Sequence, residues 1–173
     1  MGAYTVDSVG GNLITRFTSR MVLPLLITLA MLPNLPPSAI SADKTIFKDL
    51  NQKTKLIGKH MLSLQWLQFA NNKYGSANIV EKDGVLLLKG EQRLAGKENG
   101  YLTIEGRITE ASNQAFKFNG KIVTSVSHIN DGKECVREGD FNFLAKGNRK
   151  YWRLQEMLSP CSTVTDYIDL YFR

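Results

Sequence analysis

Cysteine and histidine are scarce in this chain, with two of each in 173 residues. Cys135 and Cys161 stand 26 positions apart with no Cys-x-x-Cys, and His60 and His128 are too few to complete a zinc-type ligand set, so no metal site is predicted. Glycine-rich phosphate loops are missing, with neither GxxxxGK[ST] nor GxGxxG, and no cofactor is predicted. No GxSxG marks a nucleophile, and no catalytic residue is nominated. Helix-turn-helix, zinc-finger and aromatic–basic RNA signatures are lacking too, which argues against a nucleic-acid partner. There is no internal repeat and no run of five or six like charges.

Long apolar runs are also lacking. The most hydrophobic stretch, Met21 to Leu32, has twelve residues, short of the roughly 18–20 that a membrane-spanning helix needs. Pro24 lies inside it and Pro33, Pro36 and Pro37 follow it. Arg16 and Arg20 precede it, and Ser38-Ala39-Ile40-Ser41-Ala42 comes after. A basic flank, a short apolar core and small residues read as a secretory signal. Residues 1–42 are therefore expected to be a signal peptide with a poorly defined N-terminal extension. The mature chain begins near Asp43 without a transmembrane helix, in the periplasm or outside the cell. Residues 1–15 hold one acidic and no basic residue, an unusual start for such a signal. The leader carries Arg16, Arg20 and Asp7, so +5 of the net charge of +6 stays with the mature part. An even cysteine count in an oxidising compartment predicts the bridge Cys135–Cys161. It closes a loop worth on the order of 3.5 kcal/mol in chain entropy.

Residues 43–59 read as a polar arm or short helix, and 60–173 as a β domain. Alternation of apolar and polar residues dominates there. Met61–Phe69 reads as a strand with Leu62, Leu64 and Trp66 on one face. Three two-residue turn signals predict hairpins. Asp83-Gly84 places Ile79 opposite Leu88 and Val80 opposite Leu87. Asp131-Gly132 pairs Ile122 with Phe141, Val126 with Arg137 and His128 with Cys135. Gly147-Asn148 pairs Phe143 with Trp152 and Phe141 with Leu154. The last two registers gather Phe116, Phe118, Ile122, Val126, Phe141, Phe143, Trp152 and Leu154 on one apolar face. Leu102, Ile104 and Ile108 supply a further strand, and Tyr167–Phe172 a last one. About eight strands and few helices predict an all-β small antiparallel barrel or a two-layer sandwich with one disulfide. Arg137 falls on the apolar face. It needs either an open barrel end, the favoured placement, or an acid such as Glu91 or Glu105.

Arg149, Tyr151 and Arg153 share one strand face, and Tyr167, Asp169 and Tyr171 another. Paired strands would make a polar ladder with Arg–Asp contacts, or a recognition face. Asp166 and Asp169, three apart, point to opposite sides and cannot act as a paired acid and base. The candidate binding residues are thus Arg137, Arg149, Tyr151, Arg153, Tyr167, Asp169 and Tyr171. The segments Gly132–Gly139, Arg149–Met157, Pro160-Cys161 and Thr165–Phe172, with Leu62–Trp66, resemble a family of small exported bacterial proteins of unknown function, over roughly residues 59 to 172. The resemblance implies a bacterial envelope setting and carries no chemistry. The reading favours a non-enzymatic binding or structural module whose partner is a small ligand, a glycan, or an envelope or host protein. Its alternatives are a carboxylate-based hydrolase using Glu91 or Glu105 near Arg137, and an inhibitor of a host enzyme such as lysozyme. A basic target would complement this basic domain poorly.

Overall fold

The computed structural model describes residues 43–49, 51–71, 73–94 and 99–172. The predicted export segment lies outside them. Elements run β1 (Ile46–Phe47), α1 (Asn51–Leu56), β2 (Gly58–Leu64), α2 (Gln65–Asn71), β3 (Gly75–Lys82), β4 (Val85–Leu94), β5 (Gly100–Ser112), β6 (Ala115–Val126), β7 (Cys135–Leu144), β8 (Tyr151–Leu154) and β9 (Ile168–Tyr171). Each strand from β2 to β9 pairs antiparallel with its chain neighbour, and β2 also pairs with β9. The result is a closed eight-stranded antiparallel barrel; of the two predicted architectures, it is the barrel that forms. β1 adds in parallel beside Glu110 and Ala111 of β5, beyond the last residue that pairs with β4. The Thr45 hydroxyl binds there between the two strands, donating to the Ile108 carbonyl and accepting from the Leu86 amide.

Alternation decides what fills the ring. Ile79, Leu86, Leu88, Leu102, Ile104, Ile108, Phe116, Phe118, Ile122, Phe143, Trp152, Leu154 and Leu170 point inward and are almost fully buried. An eight-stranded barrel is just wide enough for side chains to fill it. Helices cover both ends. Leu56 of α1 joins the core, and Gln52 bonds Asn113 in the β5–β6 turn. Leu67 of α2 packs at the other end, against Gly100. Among the described residues, no helix is long and apolar enough to cross a membrane.

One inward row carries no side chains on three neighbouring strands. Gly106, Gly120 and Gly139 stand side by side on β5, β6 and β7, with the Phe118 ring against the first two. A methyl group on Gly120 would run into that ring and the Glu105 carbonyl. Gly120→Ala is therefore expected to lose about 1–3 kcal/mol by overpacking. Gly139→Ala has open space around it but a φ of +131°, so its loss is conformational. Urea unfolding of both variants checks this, and an unchanged midpoint for Gly120→Ala would contradict the packing argument.

The Asp83-Gly84 register is as predicted: Ile79 faces Leu88 and Val80 faces Leu87. The other two hairpins are corrected. Ile122 faces Arg137 and Phe118 faces Phe141, so the β6–β7 pairing is displaced by four residues. Phe143 faces Leu154, a displacement of two. Asp131-Gly132 is not a two-residue turn. It belongs to a longer loop whose 3-10 turn spans Asn130–Gly132, with Val126 bridged to Ile129 and left-handed φ values at Asn130, Asp131 and Gly132. Both displacements are even, so every predicted inward residue stays inward. Strand Met61–Phe69 is also corrected: it ends at Leu64, and Gln65–Asn71 is helix. Gln, Leu and Ala favour that helix, and it is tied down by Gln65, which donates to the Thr165 carbonyl and accepts from the Tyr167 amide.

Candidate functional site: a tyrosine and arginine face on the barrel wall

β9 lies between β2 and β8, with Tyr151 opposite Tyr171 and Arg153 opposite Asp169. The predicted polar ladder is present. Ile168 and Leu170 fill the core, so Tyr167, Asp169 and Tyr171 must face outward. Asp169 is nevertheless only 4% exposed. Arg153 closes over it, donating from Nε and Nη2 to the two carboxylate oxygens at 2.7 Å each. This bidentate pairing holds the guanidinium above its usual pKa and fixes its plane. The plane lies 4.2 Å from the Tyr167 ring centre and 5.2 Å from that of Tyr151. Arg149 approaches Tyr151 at 5.6 Å. Tyr171 touches Tyr151 and Tyr74 with centroids at 5.3 Å in each case. Burial, helped by Asp169 and Tyr74 and opposed by a Ser63 hydrogen bond, pushes the Tyr171 phenol upward, so it is a protonated donor at neutral pH. Six of the seven predicted binding residues, all but Arg137, therefore converge on one surface. Tyr74 joins them from just before β3, a position that alternation within β8 and β9 could not reveal.

Arg137 is elsewhere. It points inward, as its alternation predicted, and is 7% exposed at the barrel end covered by α2. It faces Ile122, and neither Glu91 nor Glu105 is its partner. Those two acids point outward and pair with Arg93 and Lys89. Arg137 donates to the Glu156 carbonyl, lies 5.5 Å from the Phe141 ring centre, and feels the charges of Asp166 and Glu156. Its Nη1 is buried without a hydrogen-bond partner among the described residues. Asp166, 3% exposed, accepts from the Trp66 indole at 3.1 Å. The predicted bridge Cys135–Cys161 is formed, and it draws residues 156–166 over this end. Sequence reasoning missed Asp166 as the neighbour of Arg137, although the cysteine pair carries the signal: Arg137 and Asp166 follow the two bridged positions closely. The cavity beside Asp166, Thr124 and Ser159 holds about 10 Å³, room for one water.

The histidines divide. His128 is an exposed loop residue whose ring meets Trp66 edge-on. His60 is buried within β2, with ring nitrogens 2.8 Å from the Tyr171 carbonyl and 2.6 Å from the Leu56 carbonyl. These bonds tie α1 and β9 to β2, a structural role. No cluster of three or more metal-ligating side chains occurs among the described residues.

Asp166 sets a pH dependence. Burial pushes its carboxyl up, outweighing the Trp66 hydrogen bond and the Arg137 charge, which pull it down. The folded chain thus takes up this proton before the unfolded chain does. The contribution to stability is fully present below the ordinary value of 3.8 and is lost as pH rises through the folded-state value. Relative to Asp166→Asn, the wild type should gain stability on acidification across that window. Parallel pH profiles of the two proteins in urea unfolding would refute it.

The sequence profile of the PM1083 family matches residues 44–172. A Pasteurella multocida (strain Pm70) protein, named only as uncharacterized protein PM1083, is 47% identical over 120 residues, which is 69% of this chain and 75% of that one. No solved structure gives a significant match. The matched span takes in the barrel from β1 to β9, the disulfide and the tyrosine face, and the chain belongs to the PM1083 family.

Proposed function

We propose that this protein is an exported envelope module that binds its partner, without transforming it, through the outer face of β2, β9 and β8. The observation that carries this reading is the closed Arg153–Asp169 pair, with tyrosines packed on its guanidinium. A charge neutralised in place and rings held against it make a surface ordered before binding. Tyrosine supplies broad contact area at low entropic cost, and preorganisation lowers the cost of association. The interior offers less. It is filled with side chains, and its polar end leaves space for a water and not for a substrate. The hydrolase reading needs Glu91 or Glu105 beside Arg137, and each glutamate is closed into its own ion pair on the outside of the wall. Export is supported by the leader pattern in the sequence and by the disulfide, which persists in oxidising compartments.

The test uses the immobilised oxidised protein and a bacterial envelope extract. Captured material is expected to fall with Tyr167→Ala and with Arg149→Ala. It is expected to persist with Leu87→Ala on the β3–β4 side of the wall. Capture that ignores both face substitutions would sink the reading. Mass spectrometry of protein recovered from cells is expected to show a start near Asp43, and an intact Met1 would count against export.

A further inference from the structure

The tyrosine face has a charged border that the Arg153–Asp169 ladder does not use. Lys55 of α1 places its Nζ 3.8 Å from the Phe172 ring centre. Arg149 and Lys150 lead into β8, and the Lys150 carbonyl accepts from the Phe172 amide. Lys59 follows on the outward side of β2, two residues from Met61. None of these four cations has an ion-pair partner among the described residues. Lys55 is held below its ordinary pKa by burial first and by the Lys150 charge second. Positive charge is therefore crowded along one border of an aromatic strip whose own Arg153 is already charge-balanced by Asp169.

From this juxtaposition we infer that the face binds an acidic polysaccharide, a sugar chain bearing carboxylate or phosphate groups. This rests on the reading of the face as the binding surface and specifies its ligand. The strip crosses β3, β2, β9 and β8, about 14 Å at the usual strand spacing, which suits a segment of an extended chain better than a single small anion. Anionic groups meet Lys55, Lys59, Arg149 and Lys150, where charge complementarity supplies the attraction. Sugar hydroxyls meet the phenols of Tyr74, Tyr151 and Tyr171. Nucleic acid fits less well. Bases need open aromatic faces to stack on, and guanidinium groups lie against the rings of Tyr151 and Tyr167. A lipid surface also fits less well: among the described residues of the strip only Met61 is an exposed aliphatic side chain, and interfacial binding needs an apolar face.

Titration calorimetry on the whole oxidised protein tests the inference. The probes are phosphomannan and polygalacturonate, neutral mannan as their uncharged counterpart, a short DNA duplex, and phosphatidylglycerol vesicles. Binding to an acidic polysaccharide is expected to be at least about tenfold tighter than to mannan and to weaken as salt rises. The exposed double variant Arg149→Ala/Lys150→Ala should lose about tenfold or more, and Tyr74→Ala should weaken binding at all salt concentrations. Equal affinity for mannan, still lowered by Tyr74→Ala, would overturn the acidic class and leave the face standing. Binding untouched by either variant would overturn both. Tighter binding to DNA or vesicles, or no binding to any probe, would overturn the inference.

Discussion

Trp152→Ala is expected to lower stability by about 3–5 kcal/mol, the usual range for truncating a large buried aromatic, and to lower Tm by about 10–20 °C in a domain of this size. Trp152 has no exposed surface. It is edge-on to His60 and Phe116, with centroids at 5.9 and 5.6 Å, and Phe172 lies 4.4 Å away. It therefore joins β8 to β2, β6 and the residue after β9, and its loss empties the seam where the ring closes. The indole nitrogen contributes nothing comparable, since Nε1 has no acceptor among the described residues. Trp152→Phe should accordingly lose far less than Trp152→Ala. Guanidinium unfolding of both variants separates volume from hydrogen bonding, and equal losses would contradict the packing account.

Arg153→Met should destabilise by a similar amount, about 3–5 kcal/mol, for a different reason. The substitution leaves the Asp169 carboxylate buried with no opposing charge, and an orphaned buried charge is strongly destabilising. The exposed ion pairs elsewhere on the wall, such as Lys121–Glu138 and Lys89–Glu105, are each worth less than about 1 kcal/mol. Lys121→Met is the matched control and should stay close to wild type. The double variant Arg153→Met/Asp169→Leu removes both charges and should recover much of the loss. Additive losses in that cycle would mean that the two side chains do not act as a pair. Recovered stability without recovered binding would separate the ladder's structural part from the recognition assigned to the same face.

The sequence made the faces legible before the registers. Phe116, Phe118, Ile122, Phe143, Trp152 and Leu154 are all inward as expected, although two of three hairpin registers are displaced. Alternation has a period of two, so it carries parity and nothing finer, and the displacements of four and two residues preserve it. What the chain does between strands is set by backbone conformation at a few positions. Asn130 and Asp131 take left-handed φ values, which a two-residue reading of Asp131-Gly132 does not foresee. Helix α2 was hidden for a related reason: Leu62, Leu64 and Trp66 alternate, but tertiary bonds from Gln65 to Thr165 and Tyr167 decide where the strand stops. Of the site, the Arg153–Asp169 ladder could be read because it lies within two regular strands. The neighbourhood of Arg137 and Asp166 could not, because an irregular segment held by the disulfide brings them together.

The pairing of β2 with β9 has a kinetic consequence. The bond between His60 and the Tyr171 carbonyl spans 111 positions, and the strands between them pair only with their neighbours until the ring closes. Closing so long a loop is entropically slow, and folds rich in such distant contacts mature in milliseconds to seconds. Throughout that interval β2 and β9 each present an unpaired edge; β2 begins beside Lys59, and β9 ends at Tyr171, opposite the Tyr151 that follows Arg149 and Lys150. Charged residues on exposed edges deter strand-to-strand aggregation. The same cations that border the tyrosine face therefore also protect the half-made barrel from pairing with another copy of itself.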